Sequence, residues 1–435
     1  MADWNAYYAS HTASPEEAVG LIRSGDRVVV GHACGEPSCL LDALVQNAAA
    51  YENVEIVHMV AMGKAEYCRP EYAGAFRHNA LFVGGATRDA VFEGRGDFTP
   101  CFFWEVPGFF RDPDVLPVDV ALIQVTPPDE NGNCSLGVSV DYTYQAVQQA
   151  RTVIAQVNDR MPFTLGLHST VPVEQIACFV PRSTPVIELS PPSIGPVEEA
   201  IGRNCAALIR DGDTLQLGIG AIPDAVLRFL GDKNDLGIHS EMFSDGVVEL
   251  VERGVINNRR KTLQPGKSVA AFLMGTRRLY DYAHRNPAVM MAPVDYVNDP
   301  RVICQNDNMV SINSCVQVDL MGQAASETVG YKQISGTGGQ VDFIRGAAMS
   351  RGGRSILAFP STVKGRTSKI VPLLDEGAAV TTSRDDVDYV VTEYGAAHLK
   401  GRTLRDRARA LIQIAHPDFR PDLIRHFTRR FHCDF

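Results

Sequence analysis

The chain has 435 residues, 45% apolar and 21% charged, with a net charge of −10. That mix builds large cores and excludes a disordered tail, a collagen or a coiled coil. No stretch approaches the ~18 uncharged apolar residues of a membrane span, and an acidic chain without runs of like charge lacks the basic face that nucleic acid demands.

At ~150 residues per domain the length predicts two or three domains. The N-terminal stretch up to Val19 has neither the basic nor the apolar region of a secretory leader, so the expectation is a protein that works in the cytoplasm. Ten cysteines are scattered singly, with no C-x-x-C pair and no Cys/His zinc spacing. They are expected as reduced thiols packed like small apolar side chains, and no metal is indicated.

Along the chain the first signal is internal similarity. The segment from Leu21 to Gly31 recurs from Leu208 to Gly218 at an offset of 187 residues. In each copy a helix ends, Gly-Asp turns the chain, a short strand follows, and a small-residue loop leads into the next helix. Weaker echoes pair Asn53–His58 with Leu236–Glu241 and Ser135–Asp141 with Ser311–Asp319. Three echoes in one order argue for duplication. The expectation is two tandem α/β domains with open, mostly parallel sheets, residues 1–190 and 191–435, joined at Ser190-Pro191-Pro192-Ser193-Ile194-Gly195-Pro196.

The β-branched runs Val28–Val30, Val118–Val125, Thr152–Val157 and Val387–Val391 predict buried strands. Apolar periodicity predicts helices over Asp141–Ala150, Glu198–Ile209 and Leu404–Ile414. In such folds ligands sit beyond the C-terminal ends of strands, which directs attention to four segments.

Leu217-Gly218-Ile219-Gly220-Ala221-Ile222-Pro223 follows a strand and precedes a helix expected near Asp224. It is either a tight βα turn or a place where backbone N–H groups meet an anionic atom. Pro223 stands where a dinucleotide fingerprint needs its third glycine, so that reading fails. In Gly237-Ile238-His239-Ser240-Glu241-Met242-Phe243-Ser244-Asp245-Gly246, Glu241 is either a surface charge or a nucleophilic carboxylate beside an oxyanion pocket. Ser335-Gly336-Thr337-Gly338-Gly339-Gln340-Val341-Asp342-Phe343 is too glycine-dense for an ordinary turn. After Asp342 no acid follows until Asp375, while Arg345, Arg351, Arg354, Lys364, Arg366 and Lys369 all fall between them. This is either a solvated face or a landing place for phosphates.

These motifs, with Ser311-Ile312-Asn313-Ser314, Val390-Val391-Thr392-Glu393-Tyr394-Gly395, Pro127–Gly137 and Ile414–Arg420, occur in family order over essentially the whole chain. The chain resembles the acetyl-CoA hydrolase/transferase family of class I CoA-transferases, in particular its 4-hydroxybutyrate and butyryl-CoA:acetate branch. The resemblance implies a CoA-transferase that carries CoA from an acyl-CoA of acetyl or succinyl type to a short-chain carboxylate of butyrate, 4-hydroxybutyrate or itaconate type, with no permanently bound cofactor. It makes Glu241 the nucleophile that becomes a glutamyl-CoA thioester, with Ile219 and Gly220 offering oxyanion N–H groups and Asn298 near the acyl oxygen. It assigns CoA binding to Gly218, Ile219, Gly220, Ala221, Ile222, Ser314, Gly338, Gly339 and Lys364. A homo-oligomer, dimer or tetramer, is expected by the same analogy. The alternatives are an acyl-CoA hydrolase of the family and a non-catalytic CoA-binding protein. In the first repeat, the loop Gly31–Pro37 lines an acyl pocket or is a turn left over from duplication, with His32 a hydrogen-bonded pocket or core residue.

Overall fold

The structure, a computed structural model, describes residues 4–218 and 220–435. The chain divides into two compact units that interleave along the sequence: residues 1–189, 269–297 and 333–338 form the first, and residues 190–268, 298–332 and 339–435 the second. The first passage between units falls between Leu189 and Ser190, and residues 269–297 and 333–338 group with the first unit.

The first unit holds a seven-stranded sheet of β1 (Arg27–Val30), β2 (Val54–His58), β3 (Phe76–Ala80), β4 (Gly96–Phe98), β5 (Val120–Val125), β6 (Thr152–Val157) and β7 (Cys178–Pro181). Its order is β4-β3-β2-β1-β5-β6-β7, and every pair is parallel. Covered faces explain why these strands read as β-branched runs rather than as alternating patterns. Val28, Val30, Ile56, Leu122 and Ile154 pack with Leu40, Leu41 and Leu44 of the helix Ser38–Gln46. Those leucines share one helix face by their spacing.

The second unit holds β8 (Thr214–Leu217), β9 (Gly237–Ile238), β10 (Met309–Asn313), β11 (Arg354–Ala358), β12 (Tyr389–Thr392) and β13 (Gly395–His398). Their order is β9-β8-β10-β11-β12-β13, parallel except for the final hairpin. The helices Leu404–Gln413 and Arg420–Phe431 bury Leu411, Ile412, Leu423 and Phe427 in a core with Leu357, Phe359 and Val390. The expected helices fall at Thr143–Gln149, Pro196–Ala206 and Leu404–Gln413, and the one expected near Asp224 begins at Ala221. Pro223 is tolerated there because first-turn N–H groups have no intrahelical partner.

The ladders show how far the echoes reach. β1 lies between β2 and β5 as β8 lies between β9 and β10, and the offset of 187 maps Arg27–Val30 onto Thr214–Leu217. The second echo is slipped by one residue. Arg27 faces Glu55 and Thr214 faces Gly237, so Ile56 corresponds to Ile238 and Met59 to Glu241; a one-residue slip exchanges the two faces of a strand. In the third echo Ser311 lies inside β10, whereas Ser135 lies past β5 in a short strand paired antiparallel with Thr170–Pro172. Among the described residues no helix is long and apolar enough to cross a membrane.

Candidate active site

Four neighbouring strands of the second unit end beside one another, in the order β9, β8, β10, β11. After β8, the Gly218 N–H donates to Ile312 O at 3.1 Å. Two residues earlier, within β8, Gln216 and Asn313 of β10 exchange amide hydrogen bonds of 3.2 and 3.0 Å. Ile219 lies outside the described residues. Gly220 is exposed with φ +117°, and nothing lies within 4 Å of where its Cβ would stand; backbone conformation alone reserves this position for glycine. Ala221 and Ile222 open the helix Ala221–Arg228. In its first turn Asp224 accepts from Ser244 Oγ at 3.1 Å, and burial raises its pKa above the ordinary carboxylate range.

β9 is only two residues long, and Glu241 follows three positions beyond it. Ser240 pins the intervening turn: its Oγ donates to Met242 O at 2.6 Å and accepts from the Leu217 N–H at 3.3 Å. The half-buried Glu241 accepts at Oε2 from Asn298 Nδ2 at 2.8 Å. Asn298 is fully buried, and the same amide lies 3.4 Å from Asp342 Oδ2, so it bridges two carboxylates. Asp342 sits in the first turn of the helix Gln340–Met349, for which Gly339 is the N-cap. A Cβ on Gly339 would overlap both Glu241 Oε2 and Asn298 Nδ2. The Glu241 carboxylate thus stands against a helix N-terminus, where the aligned peptide dipoles favour negative charge. One oxygen is fixed by an amide, which suits the group to meet an electrophilic carbonyl in a set geometry. His239 is buried, its ring 6.3 Å from that of Phe343.

Ser314 is exposed directly after β10. Lys364, also exposed and with φ +51°, lies in the turn of a hairpin whose strands are Thr362–Val363 and Thr367–Ser368. Three of the six bases in the acid-free stretch meet acids from elsewhere in the sequence. Arg345 pairs with Asp386 at 3.4 Å, Arg351 with Asp307 at 2.6 Å, and Arg354 with Asp213 in a buried bridge. Lys369 donates to Cys315 O at 2.9 Å, and burial pushes its amine down. Of the six bases, Arg345, Arg351, Lys364 and Arg366 are exposed, the first two facing those carboxylates, while Arg354 is buried and Lys369 half-buried.

Gly338, next in sequence to Gly339, groups with the first unit. There its φ is +54° and its carbonyl accepts from the Phe103 N–H at 3.3 Å. In that unit His32 is buried with Nδ1 3.1 Å from Asp141 Oδ2, and its ring lies 4.5 Å from that of Phe272. Glu36 is also buried. Its Oε2 accepts from the Gly63 N–H at 3.1 Å and lies 4.0 Å from His58 Nε2. Burial raises its pKa to about 7, opposed by backbone donors at Gly63 and Met62. A cavity of about 210 Å³ opens beside it, lined also by Asp42, Lys64 and Tyr67.

Sequence reasoning gave Asp342 no role, although the residue stood inside a quoted motif. It missed Ser240 as an anchor, and it missed Asn258 and Lys261, both nearly fully buried at the edge of β9. Asn257-Asn258-Arg259-Arg260-Lys261 reads as surface charge; the only local clue is an Asn-Asn pair, since asparagine tolerates the left-handed backbone that Asn258 adopts at φ +58°.

The chain is similar to known proteins along its whole length. Residues 2–188 match the acetyl-CoA hydrolase/transferase N-terminal domain and residues 275–427 its C-terminal domain. The 4-hydroxybutyrate coenzyme A transferase of Clostridium kluyveri is 63% identical over 430 residues, covering 99% of this chain and 100% of that one. The crystal structure of a 4-hydroxybutyrate CoA-transferase from Porphyromonas gingivalis is 45% identical, with a TM-score of 0.85 over 99% of this chain and 100% of that one. RipA from Yersinia pestis is 38% identical with a TM-score of 0.93, covering 99% of each chain. The chain belongs to the acetyl-CoA hydrolase/transferase family, and within it is a CoA-transferase that uses short-chain acyl-CoA and a carboxylate as substrates.

Proposed function

We propose that this enzyme moves CoA between a short-chain acyl-CoA, of acetyl type, and 4-hydroxybutyrate, through a glutamyl-CoA thioester on Glu241. The choice of carboxylate rests on the 63% identity, over its whole length, to the Clostridium kluyveri transferase. The observation that carries the mechanism is the Glu241 carboxylate, held by Asn298 at 2.8 Å against a glycine with no room for a side chain.

A Glu241 oxygen attacks the thioester carbonyl; the C–S bond breaks, and CoA leaves as thiolate from a mixed anhydride. The thiolate then attacks the Glu241 carbonyl carbon, releasing the first carboxylate and leaving CoA on the enzyme. A second carboxylate reverses these steps, so the kinetics are ping-pong and the thioester energy is kept without ATP. A carboxylate is a weak nucleophile, so the rate comes from position and from oxyanion-facing N–H donors, of which the Gly220 N–H is one, the Gly218 N–H being held by Ile312 O; one such donor is worth ~3 kcal/mol. Gly218, Ile219, Gly220, Ala221, Ile222, Ser314, Gly338 and Gly339 contact CoA in this reading, and Lys364 pairs with its phosphates. The enzyme acts in the cytoplasm, because CoA with its phosphates does not cross bilayers, and as a homo-oligomer, by analogy with the family.

The test is to incubate the protein with acetyl-CoA, reduce with borohydride and map peptides by mass. A thioester of a carboxyl group is reduced to an alcohol, and an ordinary glutamate is not. Conversion at Glu241 alone is expected. Exchange between acetyl-CoA and 4-hydroxybutyrate with Glu241 unmodified, or conversion of another carboxylate, overturns the mechanism; exchange with other carboxylates only overturns the substrate.

A further inference from the structure

The strand that leads to Glu241 is an edge strand, and its outer side is completed in an unusual way. On the inner side the Gly237 and His239 N–H groups donate to the carbonyls of Asp213, just before β8, and Leu215 of β8. On the outer side, backbone pairing with the segment after Val255 stops at Leu236, whose N–H donates to Val255 O and whose carbonyl accepts from Asn257 and Asn258. At Asn258 the chain turns away with φ +58°. Beyond that point two side chains replace the missing strand. Asn258 Oδ1 accepts from the Ile238 N–H at 2.8 Å, and Lys261 Nζ donates to Ile238 O at 2.6 Å.

We propose that Asn258 and Lys261 are positioning residues for Glu241: their side chains fix the outer edge of β9 and thereby set where the carboxylate stands. The proposal rests on Glu241 being the nucleophile. Both residues are themselves fixed. Asn258 Nδ2 donates to Ser268 Oγ at 3.1 Å and Lys261 Nζ also donates to Lys267 O at 2.6 Å. Each is 5% exposed. The Lys261 stem crosses β9 at Gly237, where any Cβ would overlap it. Burying an amine costs several kcal/mol unless it is hydrogen-bonded; burial pushes this one down to about 7, and its two carbonyl partners favour the charged form. A surface lysine needs none of this. Only His239 and Ser240 separate Ile238 from Glu241, and Ser240 ties Met242, on the far side of Glu241, to Leu217 of β8, so a shift of Ile238 is passed to the carboxylate rather than absorbed.

The test compares Asn258→Gly, Asn258→Asp, Lys261→Met and Glu241→Ala with the wild type, each rate divided by the fraction of protein that binds CoA. Glycine adopts φ +58° freely, so Asn258→Gly removes the side chain without straining the turn. Asn258→Asp keeps the acceptor for the Ile238 N–H. A displacement of about 1 Å at a reacting group lowers the rate about 10²-fold. The expected result is a kcat loss of that order in Asn258→Gly and Lys261→Met, in both formation and discharge of the trapped thioester, with KM for acyl-CoA and CoA affinity unchanged and most of kcat retained in Asn258→Asp. If Asn258→Gly and Lys261→Met keep wild-type kcat, or Asn258→Asp falls as far as Asn258→Gly, the positioning role is overturned. A failure of the nucleophile assignment is distinguishable: it shows as activity in Glu241→Ala, whatever the other variants do.

Discussion

The two glycine-led loops after β1 and β8 have one ancestry in the sequence and opposite contents in the structure. Both are anchored alike: the Gly31 N–H donates to Leu122 O at 2.8 Å, and the Gly218 N–H donates to Ile312 O at 3.1 Å. Beyond that bond they part. After β1, His32, Cys34 and Glu36 are all at most 3% exposed and fill their own loop. After β8 the corresponding stretch keeps Gly220 exposed, with nothing within 4 Å of where a Cβ would stand. One strand over, buried Met59 stands where the other copy has half-buried Glu241. One copy packs side chains at its strand ends and the other leaves an exposed glycine there. The same anchored turn carries either, because backbone anchoring is independent of what the loop then holds.

If the open copy alone holds the chemistry, the largest effect is there. Glu241→Ala should lower transfer by at least about 10³-fold, since removal of a nucleophile leaves only binding and oxyanion contributions, while CoA affinity measured by calorimetry persists. Retained transfer would erase the distinction between the copies. Next, Gly339→Ala places a methyl where Glu241 Oε2 and Asn298 Nδ2 now lie. Transfer should fall at least about 10²-fold, with fold retained by circular dichroism. Near-native transfer would mean that the carboxylate need not stand against this helix terminus.

In the filled copy, Glu36 gives a pH signature. Burial raises its pKa from 4.5 to about 7. Between those values the folded protein holds a proton that the unfolded chain has released, so stability falls as pH rises through that window and stays lower above it. Glu36→Gln has no proton to lose and can still accept from the Gly63 N–H. It should flatten the curve and be more stable than wild type by about 3 kcal/mol at pH 8, read from denaturant unfolding between pH 4 and 8. Parallel curves would show that Glu36 is not held neutral in its loop.

The fold was legible because strands covered on both faces write themselves as β-branched runs, and duplication repeats the writing: Arg27–Val30 and Thr214–Leu217 were aligned from residues alone. The second echo was off by one because short segments match almost equally well at neighbouring offsets, and only the ladder decides between them. Glu241, Asn298 and the Gly338-Gly339 pair were named from family motifs, and the geometry brings Glu241, Asn298 and Gly339 together. Lys261 was invisible. A lysine inside Arg259-Arg260-Lys261 is solvated on any sequence argument, and what buries it is a carbonyl 23 residues away. The charge balance around the basic stretch was illegible for the converse reason, since Asp213, Asp307 and Asp386 reach it from distant segments. Sequence charge counts see only neighbours along the chain.

The smallest effect is also the cleanest separation of the two loops. Ala33 and Gly220 occupy the same repeat position, and both have positive φ, +51° and +117°. Gly220 has no neighbour near its missing Cβ, so Gly220→Ala meets only backbone strain and should cost about 1–3 kcal/mol. Ala33 already bears a left-handed conformation that costs an L-residue about 1–2 kcal/mol, and Ala33→Gly relieves it. The variant gives up about 0.8 kcal/mol of buried methyl and gains some unfolded-chain entropy. These terms oppose one another, so Ala33→Gly should lie within about 1 kcal/mol of wild type by denaturant unfolding and leave transfer unchanged. A loss in Ala33→Gly as large as in Gly220→Ala would mean that the packed side chains around residue 33 demand its methyl. The loops would then differ in their need for shape as well as in their occupants.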